Sequence, residues 1–211
     1  MFIEPHFSER DHEGSLKVGW IEVICGSMFS GKTEELIRRM KRAALARQPL
    51  QIFKPAIDTR YHEEQIVSHN ENALQSITVG HASDILALAE SAEVVGIDEA
   101  QFFEDDLVDV CVQLANQNKR VIVAGLDMDF EGHPFGAMPA LMAVAEFVTK
   151  VHAICMVCGA VASYSFRLVD TNEQLLLGEK ELYEARCRRC FLEGMRYRHH
   201  TEEARIRENR R

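Results

Sequence analysis

The sequence predicts an α/β fold, a mostly parallel sheet with helices on both faces, and three observations carry that prediction. Strand-like apolar runs alternate with segments of helical period along most of the chain. Several of the runs, notably Val94-Val95-Gly96-Ile97 and Val121-Ile122-Val123-Ala124, are continuously apolar, as strands buried on both faces are. Residues of chemical character gather just past the ends of these runs, where open parallel sheets bind ligands.

Taken in order, residues 1–17 are polar and charged without a clear period, and read as an extension with little intrinsic order. Trp20-Ile21-Glu22-Val23-Ile24-Cys25 is the first strand. The segment from Glu34 to Leu45 places acids first and bases later, with apolar residues at Leu36, Ile37, Met40, Ala43 and Ala44, so a helix is expected. Leu50 to Lys54 is a short strand stopped by Pro55, and the polar stretch from Ile57 to Asn72 is an excursion from the sheet. Strand character returns from Leu74 to Val79, helical spacing at Ile85, Leu86, Leu88 and Ala89, and a buried strand at Val94–Ile97. A helix over about 105–118 then leads to a strand from Arg120 to Leu126. From Cys155 long helical periods give way to glycine, arginine and paired cysteines. The expected organisation is an extension (1–17), a main α/β domain (18–150), a smaller domain (151–192) and a basic tail (193–211).

Composition narrows the function classes. The chain has 211 residues, 46% of them hydrophobic, and no apolar run of the roughly 18 residues that a membrane span requires. The N-terminus lacks a basic-then-apolar leader, which makes the cytoplasm the expected address, and no membrane partner is expected. A formal net charge of -9 is a poor match for nucleic acid. The stretch from Arg186 to Arg211, with nine arginines against four glutamates, is the exception and reads as a solvated, fraying tail.

Chemistry begins at Gly26-Ser27-Met28-Phe29-Ser30-Gly31-Lys32-Thr33, a G-x-x-x-x-G-K-[ST] pattern between a strand and a helix. Backbone N–H groups of such a loop close around a phosphate at the positive end of the following helix. Lys32 would then reach the outer phosphates, and Thr33 would ligate Mg²⁺ through its hydroxyl. Asp98, ending a buried strand, stands where such proteins keep a carboxylate for that ion. Glu99, one residue on, is placed to act as general base on a hydroxyl or water beside the γ-phosphate. Spacing alone does not separate a water-activating ATPase from a small-molecule kinase.

Cys155-Met156-Val157-Cys158 and Cys187-Arg188-Arg189-Cys190 are two C-x-x-C units, able to present four thiolates to one structural Zn²⁺. Two dithiols or an iron–sulfur cluster are the alternatives; neither pair shows a strong helical sequel, which counts against a redox motif. The 28 residues between the units exceed the usual spacing, so the metal is expected to staple the base of a long loop, Val161 to Arg186, with too little apolar periodicity to order itself.

Together with Asp58-Thr59-Arg60-Tyr61, Asp98-Glu99-Ala100-Gln101-Phe102-Phe103, Gly125-Leu126-Asp127, Phe130 and Pro134-Phe135-Gly136, these motifs resemble the type II thymidine kinases, in order and spacing, over about residues 18–192. The resemblance implies a RecA-like P-loop domain with a small zinc-stapled C-terminal domain bearing a long lasso loop. It implies transfer of the γ-phosphoryl group of ATP, with Mg²⁺, to the 5′-hydroxyl of thymidine or deoxyuridine in pyrimidine salvage. Glu99 is then the catalytic base. Nucleotide contacts come from Gly26, Ser27, Met28, Phe29, Ser30, Gly31, Lys32, Thr33, Asp58, Thr59, Arg60, Asp98 and Gln101. The nucleoside pocket is formed by Met28, Phe103, Leu126, Phe130, Phe135 and Tyr183, with the lasso residues Gln174, Leu175, Leu176, Leu177 and Gly178 closing over it. Homotetramers and inhibition by thymidine triphosphate are further implications. The rival reading is a nucleic-acid-binding P-loop ATPase whose zinc unit and arginine-rich tail grip a polymer; the net charge counts against it.

Overall fold

The computed structural model describes residues 18–56, 65–66, 74–169 and 182–209. The extension read for residues 1–17, the positions Asp58, Thr59 and Arg60, and the lasso positions Gln174, Leu175, Leu176, Leu177 and Gly178 lie outside the described residues. The chain divides into two compact units. One comprises the chain through Cys25, Lys32–Gly125 and Gly136–Thr149; the other comprises Gly26–Gly31, Leu126–Phe135 and Lys150–Arg211. The second unit thus takes in the glycine loop and the 126–135 turn along with the C-terminal part of the chain.

The larger unit is built from β1 (Trp20–Gly26), α1 (Lys32–Leu45), β2 (Leu50–Pro55), β3 (Gln65–Ile66), β4 (Leu74–Gln75), β5 (Ile77–Val79), α2 (Asp84–Leu88), β6 (Val94–Ile97), α3 (Asp106–Asn116), β7 (Arg120–Leu126), α4 (Met138–Val144) and β8 (Phe147–Lys150). Six strands form one sheet in the order β5-β2-β6-β7-β1-β8, and β3 pairs with β4 apart from it. The registers Phe53↔Ile97 and Ile97↔Val123 are parallel, so β2, β6 and β7 end on the same side. Val23, Phe53, Val95, Ile97, Val121 and Val123 share one core cluster with Leu107, Leu114 and Leu141 of α3 and α4. Full burial contributes about 1.5–3 kcal/mol for each large side chain. On the other face Gly96 lets Met40 of α1 approach the sheet beside Ile52.

Charge is buried here as well. Glu22 on β1, at 0% exposure, pairs with Arg39 of α1 at 2.7 Å and Arg120 of β7 at 2.6 Å, and accepts the Trp20 indole N–H at 2.7 Å. Arg39 also donates to Thr149 of β8 at 3.0 Å, so one network ties together α1 and three strands. Lys119 Nζ donates to the carbonyls of Ala89, Glu90 and Ala92, satisfying acceptors left open where α2 ends.

The second unit contains β9 (Ala153–Ile154), β10 (Val161–Ala162), β11 (Tyr164–Arg167), β12 (Tyr183–Arg186) and α5 (Arg188–Asn209). Over the described parts of Val161–Arg186, β10 pairs with β9 and β11 with β12, both antiparallel. The basic stretch read as a solvated, fraying tail carries a 22-residue helix, Arg188–Asn209, that begins inside the second C-x-x-C. Periodicity hides this helix because Phe191 is its main apolar anchor, stacked on Tyr164 at 4.5 Å and edge-on to Phe166 at 6.0 Å. Among the described residues Met195 packs on the same cluster, and two arginines add to it, Arg198 lying 4.7 Å over Phe166 and Arg188 5.2 Å over Tyr164. Among the described residues no helix is long and apolar enough to cross a membrane.

Candidate active site

Within the larger unit, Lys32 and Thr33 open α1, and the Thr33 hydroxyl donates to Asp98 Oδ2 at 3.2 Å. This contact joins the two residues expected to face a metal. Burial, and then the neighbouring Glu99 charge, push the Asp98 carboxyl up to about 7, against the pull of the Glu99 N–H, Lys32 and Thr33. A buried acid with an acid beside it fits a divalent cation well, since the ion supplies the positive charge that Lys32 alone does not. Glu99 follows in the left-handed region, φ 52° and ψ 39°, a costly conformation for a residue with a Cβ. Its carboxylate accepts the Gln101 side-chain N–H at 2.5 Å. Gln101 sits in a 3-10 turn, Ala100–Phe102, and Gly136, at φ +50°, packs so close to its carbonyl that a Cβ there would clash. Phe103 belongs to the main core cluster and also lines a small cavity of about 110 Å³ with Pro55, His81 and Asp106.

The second unit holds the glycine loop and the predicted base-flanking residues. Gly26 abuts the Val151 carbonyl, Phe29 adopts a left-handed φ of 61°, and the Ser30 hydroxyl donates to the Ser27 carbonyl at 2.7 Å, bending the loop on itself. The Met28 N–H donates to Ser165 Oγ on β11 at 3.0 Å. Leu126 closes β7, and the chain then turns back: the Phe135 N–H donates to the Asp127 carbonyl, and Met128 bridges Pro134. Asp129 Oδ1 accepts the N–H groups of Glu131 and His133, both at 2.9 Å, so its acid closes the turn that presents Phe130. Phe130 lies under the Arg167 guanidinium at 3.6 Å, and Tyr183 O–H accepts from the same arginine at 2.9 Å. Sequence reasoning missed Ser165 and Arg167. Their signal is polarity in a strand: Tyr164 and Phe166 alternate with two polar residues that are themselves buried.

The four paired cysteines converge. Their sulfurs lie within 4.8 Å of one another, with Cys158 and Cys187 at 3.6 Å. Ligands about 2.3 Å from one tetrahedral ion lie about 3.8 Å apart, so the cluster has the dimensions of a single four-thiolate site. Burial pushes the Cys155 thiol up, but backbone N–H groups of Cys187, Cys158 and Val157 outweigh it and bring it down to about 6. The Cys190 N–H holds Cys187 low, while burial and the other three thiols drive Cys190 up to about 12. Four sulfurs competing for protons in this way suit a cation that replaces them all. The expected lack of a helical sequel is wrong for the second pair, which opens α5. The convergence of both pairs carries the metal reading in its place.

The thymidine kinase family model matches residues 19–191. A thymidine kinase of Rhodothermus sp. (strain ITI 518) is 64% identical over 180 residues, 85% of this chain and 84% of that protein. One of Bacteroides thetaiotaomicron is 60% identical over 91% of this chain and 94% of its own length. One of Porphyromonas gingivalis is 57% identical over 87% and 90%. With its glycine loop, Asp98-Glu99 and four-cysteine cluster inside the matched span, the chain belongs to the thymidine kinase family.

Proposed function

We propose that this chain transfers the γ-phosphoryl group of ATP to the 5′-hydroxyl of thymidine, with deoxyuridine as a second acceptor. The observation that carries the mechanism is the Thr33–Asp98 contact with Glu99 next in the chain. Lys32 and the loop N–H groups hold the transferring phosphates, and Thr33 and Asp98 hold Mg²⁺. When bound, that ion neutralises charge on the outer phosphates. Glu99 accepts the proton of the attacking hydroxyl as the new P–O bond forms; Gln101 keeps its carboxylate aimed. Positioning and fixed charges do most of the work, because the transition state is loose and little covalent chemistry falls to the protein.

On the acceptor side, Met28, Phe103, Leu126, Phe130, Phe135 and Tyr183 wall the base, with Gln174, Leu175, Leu176, Leu177 and Gly178 closing over it. Asp58, Thr59 and Arg60 act on the phosphate side. The four cysteines hold a structural Zn²⁺ that fixes the base of that loop. The enzyme works as a cytoplasmic homotetramer inhibited by thymidine triphosphate. The test is ADP release with thymidine, with other nucleosides and with single-stranded DNA. Thymidine-dependent turnover yielding thymidine monophosphate is the expected result; stimulation by DNA with no response to thymidine overturns the reading.

A further inference from the structure

Arg167 is an arginine at 1% exposure, and two aromatic rings lie against it. The guanidinium lies 3.6 Å from the Phe130 ring centroid and 5.5 Å from that of Tyr183. Its Nε and Nη2 both donate to the Tyr183 hydroxyl, at 3.2 and 2.9 Å. The strand pattern explains the arrangement. On β11, Tyr164 and Phe166 take the face packed on Phe191 of α5. Ser165 and Arg167 take the opposite face, where Ser165 accepts the Met28 N–H. In the β11–β12 ladder Arg167 stands opposite Tyr183, and Arg198 of α5 donates to the Arg167 carbonyl, anchoring its backbone. One strand face therefore touches Met28, Phe130 and Tyr183, three of the residues assigned to the base pocket.

Burying a guanidinium is costly, and a strand pair that needed only to be closed would do so with an apolar side chain. What arginine adds is a flat cation that stacks on one ring while its fork holds a hydroxyl on another. We infer that Arg167 is a positioning residue for the acceptor: it locks the Phe130 ring and Tyr183 in one relative placement, so that the pocket is formed before the nucleoside arrives. Preorganisation of this kind lowers the ordering cost of binding and leaves the phosphoryl-transfer step unchanged. The inference rests on the assignment of Phe130 and Tyr183 to the base pocket.

The test is steady-state kinetics of Arg167→Met, Tyr183→Phe, the double variant and Phe130→Ala, varying thymidine and ATP in turn. Arg167→Met is expected to raise KM for thymidine about tenfold, the scale of one charge-assisted contact, with kcat and KM for ATP within about twofold. Adding it to Tyr183→Phe should multiply KM by much less than tenfold, because the arginine acts through that hydroxyl. Arg167→Lys should not rescue, since an ammonium neither stacks flat nor forks. A lower melting temperature and lower apparent kcat with both KM values unchanged would mean a purely structural staple and overturn the inference. If Arg167→Met does not fold, Arg167→Gln takes its place: a raised thymidine KM with the ATP KM unchanged supports the inference, and no change overturns it. Unchanged thymidine KM in Phe130→Ala sinks the base-pocket assignment itself. A raised KM in Phe130→Ala, without one in Arg167→Met and Tyr183→Phe, sinks only the role of Arg167.

Discussion

Replacing Asp98 with asparagine should make the nucleotide-free protein more stable while abolishing its use of metal. The Asp98 carboxyl is raised from 3.8 to about 7, by burial first and by the Glu99 charge second. Ionised, it therefore costs the folded state about 4 kcal/mol relative to a solvated carboxylate. The Asp98→Asn variant removes that charge and keeps an acceptor for the Glu99 N–H, which now bonds Oδ1 at 3.0 Å. It gives up the attraction of Lys32 and part of the Thr33 hydrogen bond, so a net gain of ~2 kcal/mol is expected, or ~4–8 °C in melting temperature for a chain of this size. The sign in pH follows from linkage. The folded state keeps this proton more tightly than the unfolded one, so wild-type stability falls as pH rises from about 4 to about 7 and is level above that. The advantage of the variant should be full at pH 8 and vanish toward pH 4. Thermal unfolding in magnesium-free buffer at several pH values measures it. In saturating Mg²⁺ and ATP the order should reverse, because only the wild type gains the full binding free energy. A variant that melts no higher than wild type at pH 8, or by the same margin at every pH, refutes the assignment of Asp98 as an ionisable group held at a cost for a cation.

Three further outcomes are expected. Glu99→Gln should leave nucleotide affinity within about twofold while turnover falls by ~10²–10⁴-fold, the usual range for a general base, as read by binding titration and single-turnover kinetics. Gly136→Ala, at φ +50° and against the Gln101 carbonyl, should destabilise by ~1–3 kcal/mol in denaturant unfolding and lower kcat by displacing the turn that holds Glu99. Cys158→Ser, or treatment with a chelator, should lower the melting temperature and expose the chain around the four cysteines to protease, with about one zinc per chain released from the wild type in a colorimetric assay.

Most of the larger unit was legible because its strands are continuous apolar runs, which few other structures tolerate. Val94–Ile97 and Arg120–Leu126 came out with their observed bounds for that reason. The elements α4 and β8 were left unassigned: β8 alternates half-buried with exposed residues at the sheet edge, and α4 spans only seven residues, too few for a period to stand out. The placement of the glycine loop and the acid pair was legible because each follows a strand end that the apolar runs mark. Gln101 was assigned to nucleotide from its motif, whereas its grip on Glu99 depends on side-chain geometry that spacing does not encode. Arg167 and α5 were missed for a shared reason. Their packing runs through arginine on aromatic rings, and a hydrophobic count scores arginine as solvent-facing.

Burial of charge does not by itself mark the chemistry, and this chain shows why. Glu22 and Asp98 are both buried acids of the larger unit, yet they respond in opposite directions. Burial drives Glu22 up, but hydrogen bonds and charge from Arg120, with the Trp20 N–H and Arg39, outweigh it, and its carboxyl ends below the ordinary value. Two guanidinium groups and an indole N–H meet its oxygens, so the network is closed and has no need of a ligand. Asp98 has burial and a second acid against it, and a hydroxyl, one N–H and Lys32 in its favour, and it ends high. Glu99, beside it, also carries a left-handed backbone. Strain, like-charge repulsion and incomplete compensation coincide at these two residues, and a fold bears such local costs where binding a cation and its nucleotide recovers them. The informative quantity is therefore the charge a buried acid still lacks, and by that measure Asp98-Glu99 is set apart from the matched Glu22 network.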